Sequence, residues 1–349
     1  MMLKLQLYRC IKCFGRVLAK IATDPVLLNY LSPVCYIAAV LGIGGWGVFI
    51  AIPFLYIDYD ARVTQMVQTC GWFLGIELVI NWLCLVFVDS TYNPSKHGGP
   101  PADVIEAGSK MNTAQGRKQV SHAVVEIPNQ QNSLDSDFKM KNHVDKSVIF
   151  YFTWSYCLVC QRMNPPRAHH CTLCNKCVLK RDHHCFVASK CIGYNNLRHF
   201  SVFLFYAFIT TVFSILHALP YAFYEVIPNN HYMDLFYPIT MIRGILGFIY
   251  YRDFALIILG WMLLGYMIFS AVTLYQTYKW ITSGKTSFEI YNKIDLYDTR
   301  DLSGKLLAVY GKHWWLNFIF PAHFLFQPLD DPIRWPTFKS RTTGEYFLI

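Results

Sequence analysis

Long apolar runs separated by polar segments form the main pattern along this chain of 349 residues. An α-helix needs about 20 mostly apolar residues to cross the hydrocarbon core of a bilayer. Four runs reach that length. The sequence therefore predicts four membrane-spanning helices, near Ser32–Leu55, Val67–Val88, Phe200–Phe223 and Phe254–Tyr278.

A further apolar patch, Trp314–Phe326, is weaker because Asn317, Pro321 and His323 interrupt it. Its aromatic side chains are of the kind that anchor a segment at the membrane surface. We expect an interfacial or re-entrant segment here, and not a fifth span. No internal repeat is evident along the chain.

The composition favours a membrane protein over a soluble globule. Hydrophobic residues make up 54% of the chain and charged residues only 15%, with a mean hydropathy of +0.27. A soluble domain has about 25% charged residues. The net charge of +9 would by itself suggest a nucleic-acid partner. In a membrane protein the same charge is expected in cytosolic loops and beside anionic headgroups, so we expect no nucleic acid.

The distribution of Lys and Arg predicts the orientation. Residues 1–31, residues 89–199 and the tail after residue 278 hold 28 of them together, and the other two connections hold three. Positive charge collects on the cytosolic side. We expect both termini and the long middle loop in the cytosol, and an endomembrane location, in the endoplasmic reticulum or Golgi.

Changes in composition divide the chain into five segments. Residues 90–146 are rich in Gly, Pro, Ser, Asn, Gln and charge, which is typical of a mobile linker. From residue 147 a β-prone stretch leads into a cluster of cysteines and histidines. The predicted segments are 1–88 (N-terminus and spans one and two), 89–146 (linker), 147–199 (cysteine-rich domain), 200–278 (spans three and four) and 279–349 (cytosolic tail).

Seven of the twelve cysteines lie in that cluster, interleaved with four histidines. A Cys-x2-Cys pair can hold one Zn²⁺, and a closed structural site takes four such ligands. Two sites would use eight of the eleven groups. One division gives Cys157, Cys160, His170 and Cys177 to one site and Cys171, Cys174, His184 and Cys191 to the other. Spacing alone leaves the division open, because Cys174 and Cys177 can also chelate together.

In that division Cys185 is left without a metal. It stands two positions after His183, and Asp182 precedes the histidine. An imidazole can take the thiol proton, and a carboxylate can orient and stabilise the imidazole, so this trio has the parts of an activated nucleophile. The alternative is that Cys185 is one more ligand in a zinc-ribbon binding module.

The cluster resembles the cysteine-rich domain of the Asp-His-His-Cys (DHHC) protein S-acyltransferases, down to Asn196 and Phe200 beyond its last cysteine. The resemblance implies the division of ligands given above, with zinc structural, and Asp182, His183 and Cys185 as the catalytic group. Thr286, Ser287 and Glu289 are similar to the family's Thr-Thr-x-Glu motif, whose second hydroxyl packs against the catalytic aspartate. Phe186 and Val187 stand where the family commonly has proline and tryptophan, and Lys190 replaces the usual asparagine.

The fold class expected is therefore an integral membrane α-helical protein, with four transmembrane helices and a cytosolic two-zinc cysteine-rich domain between spans two and three. The function implied is ping-pong transfer of a palmitoyl or similar group from acyl-CoA, through acyl-Cys185, to membrane-associated proteins with cysteines near the bilayer. The alternative is a non-catalytic zinc-containing membrane scaffold. Candidate contacts to the coenzyme A phosphates, which are equally interpretable as solvated charges, are Arg167, His169, Lys180, Arg181, Lys190 and Arg198.

Overall fold

The computed structural model describes residues 23–101, 153–319 and 328–339, together with the backbone of Ala123–Val124. The chain forms two compact units. The helical unit contains Met1–Cys84, Phe186–Ser189 and His199–Thr277. The cysteine-rich unit contains Leu85–Cys185, Lys190–Arg198 and Tyr278–Ile349.

Helices dominate the first unit and short strands the second. The α-helices are α1 (Pro25–Trp46), α2 (Ile52–Leu55), α3 (Ala61–Phe87), α4 (Pro94–His97), α5 (Leu197–Glu225), α6 (Tyr237–Ile245), α7 (Tyr251–Ser283), α8 (Ser287–Tyr291) and α9 (Leu302–Tyr310). The strands are β1 (Ala123–Val124), β2 (Ser155–Cys157), β3 (Arg162–Asn164), β4 (His169–Cys171), β5 (Lys176–Val178), β6 (His183–Cys185), β7 (Lys190–Ile192), β8 (Tyr297–Asp298) and β9 (Phe338–Lys339).

The prediction of four spans is confirmed. Within the described residues four helices are long and apolar enough to cross a membrane: Pro25–Leu55, Ala61–Phe87, Leu197–Asn229 and Tyr251–Ser283. The first begins seven residues before the predicted Ser32, because Asp24 caps it by accepting from Val26 N at 2.9 Å. Proline at the first helical position, where no N–H partner is needed, fixes the same start. A π-helical segment, Gly47–Ala51, joins α1 to α2 within this span.

Three antiparallel hairpins form the centre of the cysteine-rich unit: β2 with β3, β4 with β5, and β6 with β7. The residue before the second strand of each hairpin has a positive φ, and these residues follow one another at intervals of 14: Gln161, Asn175 and Ser189. The unit therefore contains a structural repeat, and the expectation of no repeat was wrong. The cysteines at the ends of the first strands, Cys157, Cys171 and Cys185, repeat at the same interval of 14 in the sequence.

The first residues of the predicted linker pack against these hairpins. Tyr92 is fully buried in a cluster with Trp154, Met163 and Leu179. Its backbone N–H donates to Cys177 O at 2.9 Å. Residues 89–101 thus belong to the cysteine-rich unit, and most of the rest of the predicted linker lies outside the described residues.

The segment predicted to be interfacial begins as a 3₁₀ helix, Trp314–Phe318. Asn317 is buried there and donates to Tyr310 O at 3.2 Å, so the polar residue that interrupts the apolar run holds it to the end of α9. Trp314 and Trp315 are 42% and 51% exposed. Residues 320–327 lie outside the described residues, and the membrane role of this segment stays a prediction.

Candidate active site and metal centres

One candidate metal centre joins the first two hairpins. Its ligand atoms belong to Cys157, Cys160, His170 and Cys177, and all lie within 4.8 Å of one another. The Cys160 sulfur is 3.3 Å from Nδ1 of His170. The Asn164 side-chain amide donates to the Cys177 sulfur at 3.0 Å, which favours the thiolate form that a metal needs.

The second candidate centre joins the second and third hairpins. Its ligand atoms also lie within 4.8 Å of one another, and they belong to Cys171, Cys174, His184 and Cys191. Nδ1 of His184 lies 3.3 Å from the Cys174 sulfur and 3.5 Å from the Cys171 sulfur. Three sulfurs and one imidazole nitrogen are a donor set that suits tetrahedral Zn²⁺. Both centres could hold a metal ion, and they consist of the two ligand sets that the resemblance implied.

The third hairpin differs from the other two at one position. Cys157, Cys171 and Cys185 each end the first strand of a hairpin. Three residues later the first two hairpins have cysteine, whereas the third has Ala188. The third hairpin therefore lacks the second cysteine of a Cys-x2-Cys pair. Cys185 is buried, at 9% exposed, and belongs to neither four-ligand cluster.

His183 lies between Cys185 and a carboxylate. Its Nδ1 is 2.6 Å from Oδ2 of Asp182, and its side chain also makes a hydrogen bond to Cys185. Burial lowers the pKa of His183, but the bonds to Asp182 and Cys185 outweigh that effect and raise this pKa to about 9. Because Nδ1 is occupied by the carboxylate, Nε2 is the nitrogen left to exchange a proton with a thiol.

Asp182 is itself held firmly by α8. The Ser287 backbone N–H donates to Oδ1 at 2.6 Å, and the Ser287 hydroxyl lies 3.0 Å from both Oδ2 and the Asp182 backbone oxygen. The Asp182 N–H donates to Ile192 O at 2.9 Å. The carboxylate is 5% exposed, so its orientation depends on these partners. The serine in the Thr-Ser-x-Glu segment thus contacts the aspartate directly.

The other two residues of that segment stabilise α8. Thr286 and Glu289 form a reciprocal capping box at the start of the helix. Glu289 also accepts two bonds from Arg167, at 2.6 Å and 2.8 Å, in an ion pair whose side chains are both 0% exposed. The guanidinium additionally donates to Gly284 O at 3.0 Å and lies 4.4 Å from the centre of the Trp335 ring.

The candidate coenzyme A contacts fall into two groups. Arg167, Lys180 and Arg198 are buried, at 1%, 7% and 2% exposed, so their charges do not face solvent. Arg181, Lys190 and His169 are half-buried. The Arg181 side chain bonds to the sulfurs of Cys171 and Cys191, and the His169 ring packs on Phe288 with the ring centres 4.6 Å apart. Lys190 and His169 are thus better exposed to a polyanion than the three buried cations.

Asn196 lies five positions beyond Cys191, the last cysteine of the cluster, and its side chain stabilises the local fold. Its side-chain oxygen accepts from Gly193 N at 2.8 Å and from Ser90 Oγ at 3.1 Å. Its amide donates to Cys191 O at 3.0 Å. It therefore fixes the backbone of the last metal ligand against the chain that follows α3.

Two tryptophans were not identified from the sequence. The Trp280 ring contacts His183 edge-on, with ring centres 6.4 Å apart. In the helical unit, Trp82 donates from Nε1 to Val187 O at 2.9 Å. No local sequence signal indicates either contact, since 97 and 105 residues separate the partners.

The helical unit also has a partly open cavity of about 170 Å³. Apolar side chains dominate its lining, with hydroxyls and an imidazole at some positions. Its lining includes Tyr36, Val187, Phe203, Phe213, His217 and Tyr266.

Comparison with known proteins agrees with this geometry. Residues 151–294 match the family of DHHC palmitoyltransferases. A protein of Dictyostelium discoideum named as a ZDHHC-type palmitoyltransferase is 41% identical over 102 residues. That match spans 29% of this chain and 28% of the relative, so it covers less than a third of either protein. Residues 151–294 of a chain with four described helices long and apolar enough to cross a membrane thus match the DHHC palmitoyltransferase domain.

Proposed function

We propose that this protein is a protein S-acyltransferase that moves a palmitoyl or similar group from acyl-CoA to protein cysteines. The observation that carries the proposal is Cys185, which has a hydrogen-bonded His183–Asp182 pair beside it and stands outside both four-ligand clusters. The resemblance assigns the same three residues to catalysis. The two metal clusters, each with four protein ligands, have the composition of closed structural sites.

The first half-reaction makes a thioester on the enzyme. His183 takes the proton of the Cys185 thiol, and the thiolate sulfur attacks the carbonyl carbon of acyl-CoA. The carbon–sulfur bond to coenzyme A then breaks, and the departing sulfur receives the proton held by His183. Asp182 stabilises the imidazolium that exists between the two transfers.

The second half-reaction repeats the chemistry on a protein substrate. His183 takes the proton of a substrate cysteine, whose sulfur attacks the carbonyl carbon of acyl-Cys185. The bond to Cys185 breaks, the proton returns to that sulfur, and the free enzyme is restored. Substrate cysteines near the bilayer are favoured because the acyl donor is itself anchored there.

Zinc has a supporting role in this scheme. The ligand sets would hold one Zn²⁺ each, which fixes the hairpins together without entering the reaction. Cys157, Cys160, His170 and Cys177 would bind one ion. Cys171, Cys174, His184 and Cys191 would bind the other.

The cavity of the helical unit is the proposed site for the acyl chain. Burying a methylene group is favourable by about 0.8 kcal/mol. A long chain is therefore far more stable among apolar side chains such as Phe203 than in water. Val187, which lines this cavity, follows Cys185 by two positions. Photo-crosslinking with an acyl-CoA analogue should label the spans, and label confined to other segments would refute this placement.

The remaining assignments rest on charge and segment pattern. We propose that the cysteine-rich unit and both termini face the cytosol of an endomembrane, and the Lys and Arg asymmetry supports that orientation. The segments 1–88, 147–199, 200–278 and 279–349 are retained as the proposed organisation, whereas residues 89–101 of the predicted linker, 89–146, belong to the cysteine-rich unit. Lys190 and His169 are the preferred candidates for contact with the coenzyme A phosphates.

Radioactive palmitoyl-CoA tests the central assignment. Purified wild-type protein should acquire label that hydroxylamine releases, and Cys185→Ser should acquire none. Cys35→Ser, which removes an exposed cysteine of α1, is the matched control and should label like wild type. Wild type without label would favour the zinc-containing scaffold, and label that persists in Cys185→Ser would assign the nucleophile elsewhere.

A further inference from the structure

The connection between α5 and α7, residues 226–250, buries two of its polar side chains, Asp234 and Thr240. Asp234 is 2% exposed and accepts from His231 N at 3.0 Å. It is also paired with Arg243. Thr240 is fully buried and donates to Phe236 O at 3.1 Å. The two charged side chains of the connection therefore neutralise each other, and the polar side of α6 faces protein.

Three contacts fix this connection to the ends of the spans. Asn230 donates to Asp253 Oδ2 at 2.8 Å, and Trp261 Nε1 donates to Leu235 O at 3.0 Å. A Cβ at Gly244 would lie 2.2 Å from a ring carbon of Phe254, so glycine allows α6 to pack directly on the start of α7. The connection is thus a folded part of the helical unit.

Apolar side chains make up most of its outer surface, beside the exposed Asn229 and His231. Six aromatic side chains are between 45% and 88% exposed, which leaves at least about 600 Å² of ring surface uncovered if each offers about 150 Å². The largest apolar patch on a typical soluble monomer is about 300–600 Å² in total. Further aliphatic side chains enlarge the patch. Its members are Tyr232, Met233, Phe236, Tyr237, Ile242, Ile245, Leu246, Phe248, Tyr250 and Tyr251.

We propose that this patch lies in the interfacial layer of the bilayer and that its occupant is lipid. The patch is continuous along the chain with exposed apolar side chains of the spans, Phe223 and Tyr224 before it and Tyr251 at the start of α7. Tyrosine and phenylalanine at such a depth place their rings at the hydrocarbon boundary, and the tyrosines place their hydroxyls at the headgroups.

The charge balance specifies the kind of lipid surface. Many surface-bound helices carry Lys and Arg on their polar face and need anionic headgroups. Here the polar face is used within the protein, and Asp234 with Arg243 adds no net charge. Binding should therefore depend on apolar burial and occur equally on a neutral phosphatidylcholine surface. The proposal does not depend on the acyltransferase activity.

Two tyrosines of equal exposure supply the test. Tyr251 in the patch and Tyr291 in α8 are both 88% exposed in the protein alone. With one copy of the full chain per phosphatidylcholine nanodisc, water-borne hydroxyl radicals should oxidise Tyr251 at least ten-fold more slowly than Tyr291. A lipid-soluble diazirine should label Ile245 and Phe248. Equal oxidation of the two tyrosines would overturn the proposal.

Variants and stoichiometry exclude the other occupants. Ile245→Glu should raise oxidation of Phe248 and Tyr251 at least three-fold, whereas Asn229→Glu, an exposed polar position of the same connection, should leave both unchanged. If protection appears only in nanodiscs that contain two copies, the surface binds a second copy of this chain and the lipid assignment is wrong. Failure of Ile245→Glu to change oxidation would likewise count against lipid contact.

Discussion

The backbone N–H of Ser287 donates to Oδ1 of Asp182 at 2.6 Å, across 105 residues of sequence. The same serine presents its hydroxyl 3.0 Å from Oδ2, the oxygen that contacts His183. The residue that orients the imidazole is therefore oriented by α8 in turn. Positioning by such outer contacts commonly decides whether a catalytic group lies in its productive geometry.

Ser287→Ala should slow the formation of acyl-Cys185 about ten-fold. The variant retains the backbone donor but removes the hydroxyl, and one hydrogen bond to a charged group is worth about 1.5–3 kcal/mol. A quenched time course of acyl-Cys185 formation with palmitoyl-CoA measures this rate. Ser287→Thr retains the hydroxyl and should keep most of the rate. An alanine variant as fast as wild type would show that the backbone N–H alone positions Asp182.

Removing one partner of the Arg167–Glu289 pair should destabilise the cysteine-rich unit. Both side chains are fully buried, and breaking such a pair leaves one charge in an apolar environment at a cost of about 3–5 kcal/mol. We expect a clearly lower thermal unfolding midpoint for Glu289→Met in detergent. The double variant with Arg167→Met should recover much of the loss, because no unpaired charge remains. A double variant as unstable as the single one would contradict this explanation.

Lys180 should make the stability of the protein depend on pH. Burial, helped by the nearby charge of Arg167, lowers the pKa of Lys180 from 10.5 to about 8. Between those values the unfolded chain binds more protons than the folded one, so stability should rise as pH increases from about 8 to about 10.5. The full gain is on the order of 3 kcal/mol.

Comparison of Lys180→Met with wild type isolates that effect. The methionine variant should be more stable at pH 7, where the folded wild type must bury a charged ammonium near the Trp335 ring. Its unfolding midpoint should change less than that of wild type across the window from pH 8 to 10.5. Parallel pH profiles for the two proteins would show that Lys180 is not the titrating group.

Metal analysis should separate the ligands from the nucleophile. We expect two zinc ions per wild-type chain and two per Cys185→Ser chain, because Cys185 belongs to neither cluster. Cys160→Ser and Cys174→Ser should each lose about one ion and become less stable. Exhaustive chelation should unfold the hairpins and abolish acylation of Cys185. Adding zinc should restore both. Loss of an ion from Cys185→Ser would place that cysteine among the ligands.

The sequence predicted features that depend on neighbouring residues better than those that depend on distant contacts. The four spans follow from the length of the apolar runs. The first helix begins nearer the N-terminus than predicted because Asp24 caps it. The division of metal ligands remained open because spacing cannot say that Cys177 returns to the cluster of Cys157. Hairpin pairing between β4 and β5 brings it there.

Contacts between remote segments could not be predicted. Arg167 is a reasonable phosphate ligand by residue type, yet it pairs with Glu289, 122 residues away. The 14-residue interval places Ala188 where the first two hairpins have Cys160 and Cys174, and the structure shows that these positions are equivalent. The substitution is a structural reason why Cys185 lacks a chelating neighbour.

A hydrogen bond joins Trp82 of α3 to Val187 in the turn after Cys185. Val187 follows Cys185 by two positions, and its backbone oxygen accepts from the indole N–H at 2.9 Å. The Trp82 ring also packs on Tyr36, with ring centres 5.3 Å apart. Trp82→Phe retains an aromatic ring in this place but removes the donor, so it separates the hydrogen bond from the packing.

We expect Trp82→Phe to lower stability by about 1 kcal/mol, the usual net worth of one hydrogen bond. The turn Phe186–Ser189 loses its anchor to α3, and acylation of Cys185 should slow several-fold with little change in zinc content. Trp82→Ala, which also removes the ring contact with Tyr36, should lose at least a further 2 kcal/mol. If phenylalanine and wild type acylate at the same rate, packing on Tyr36 positions the turn and the hydrogen bond does not.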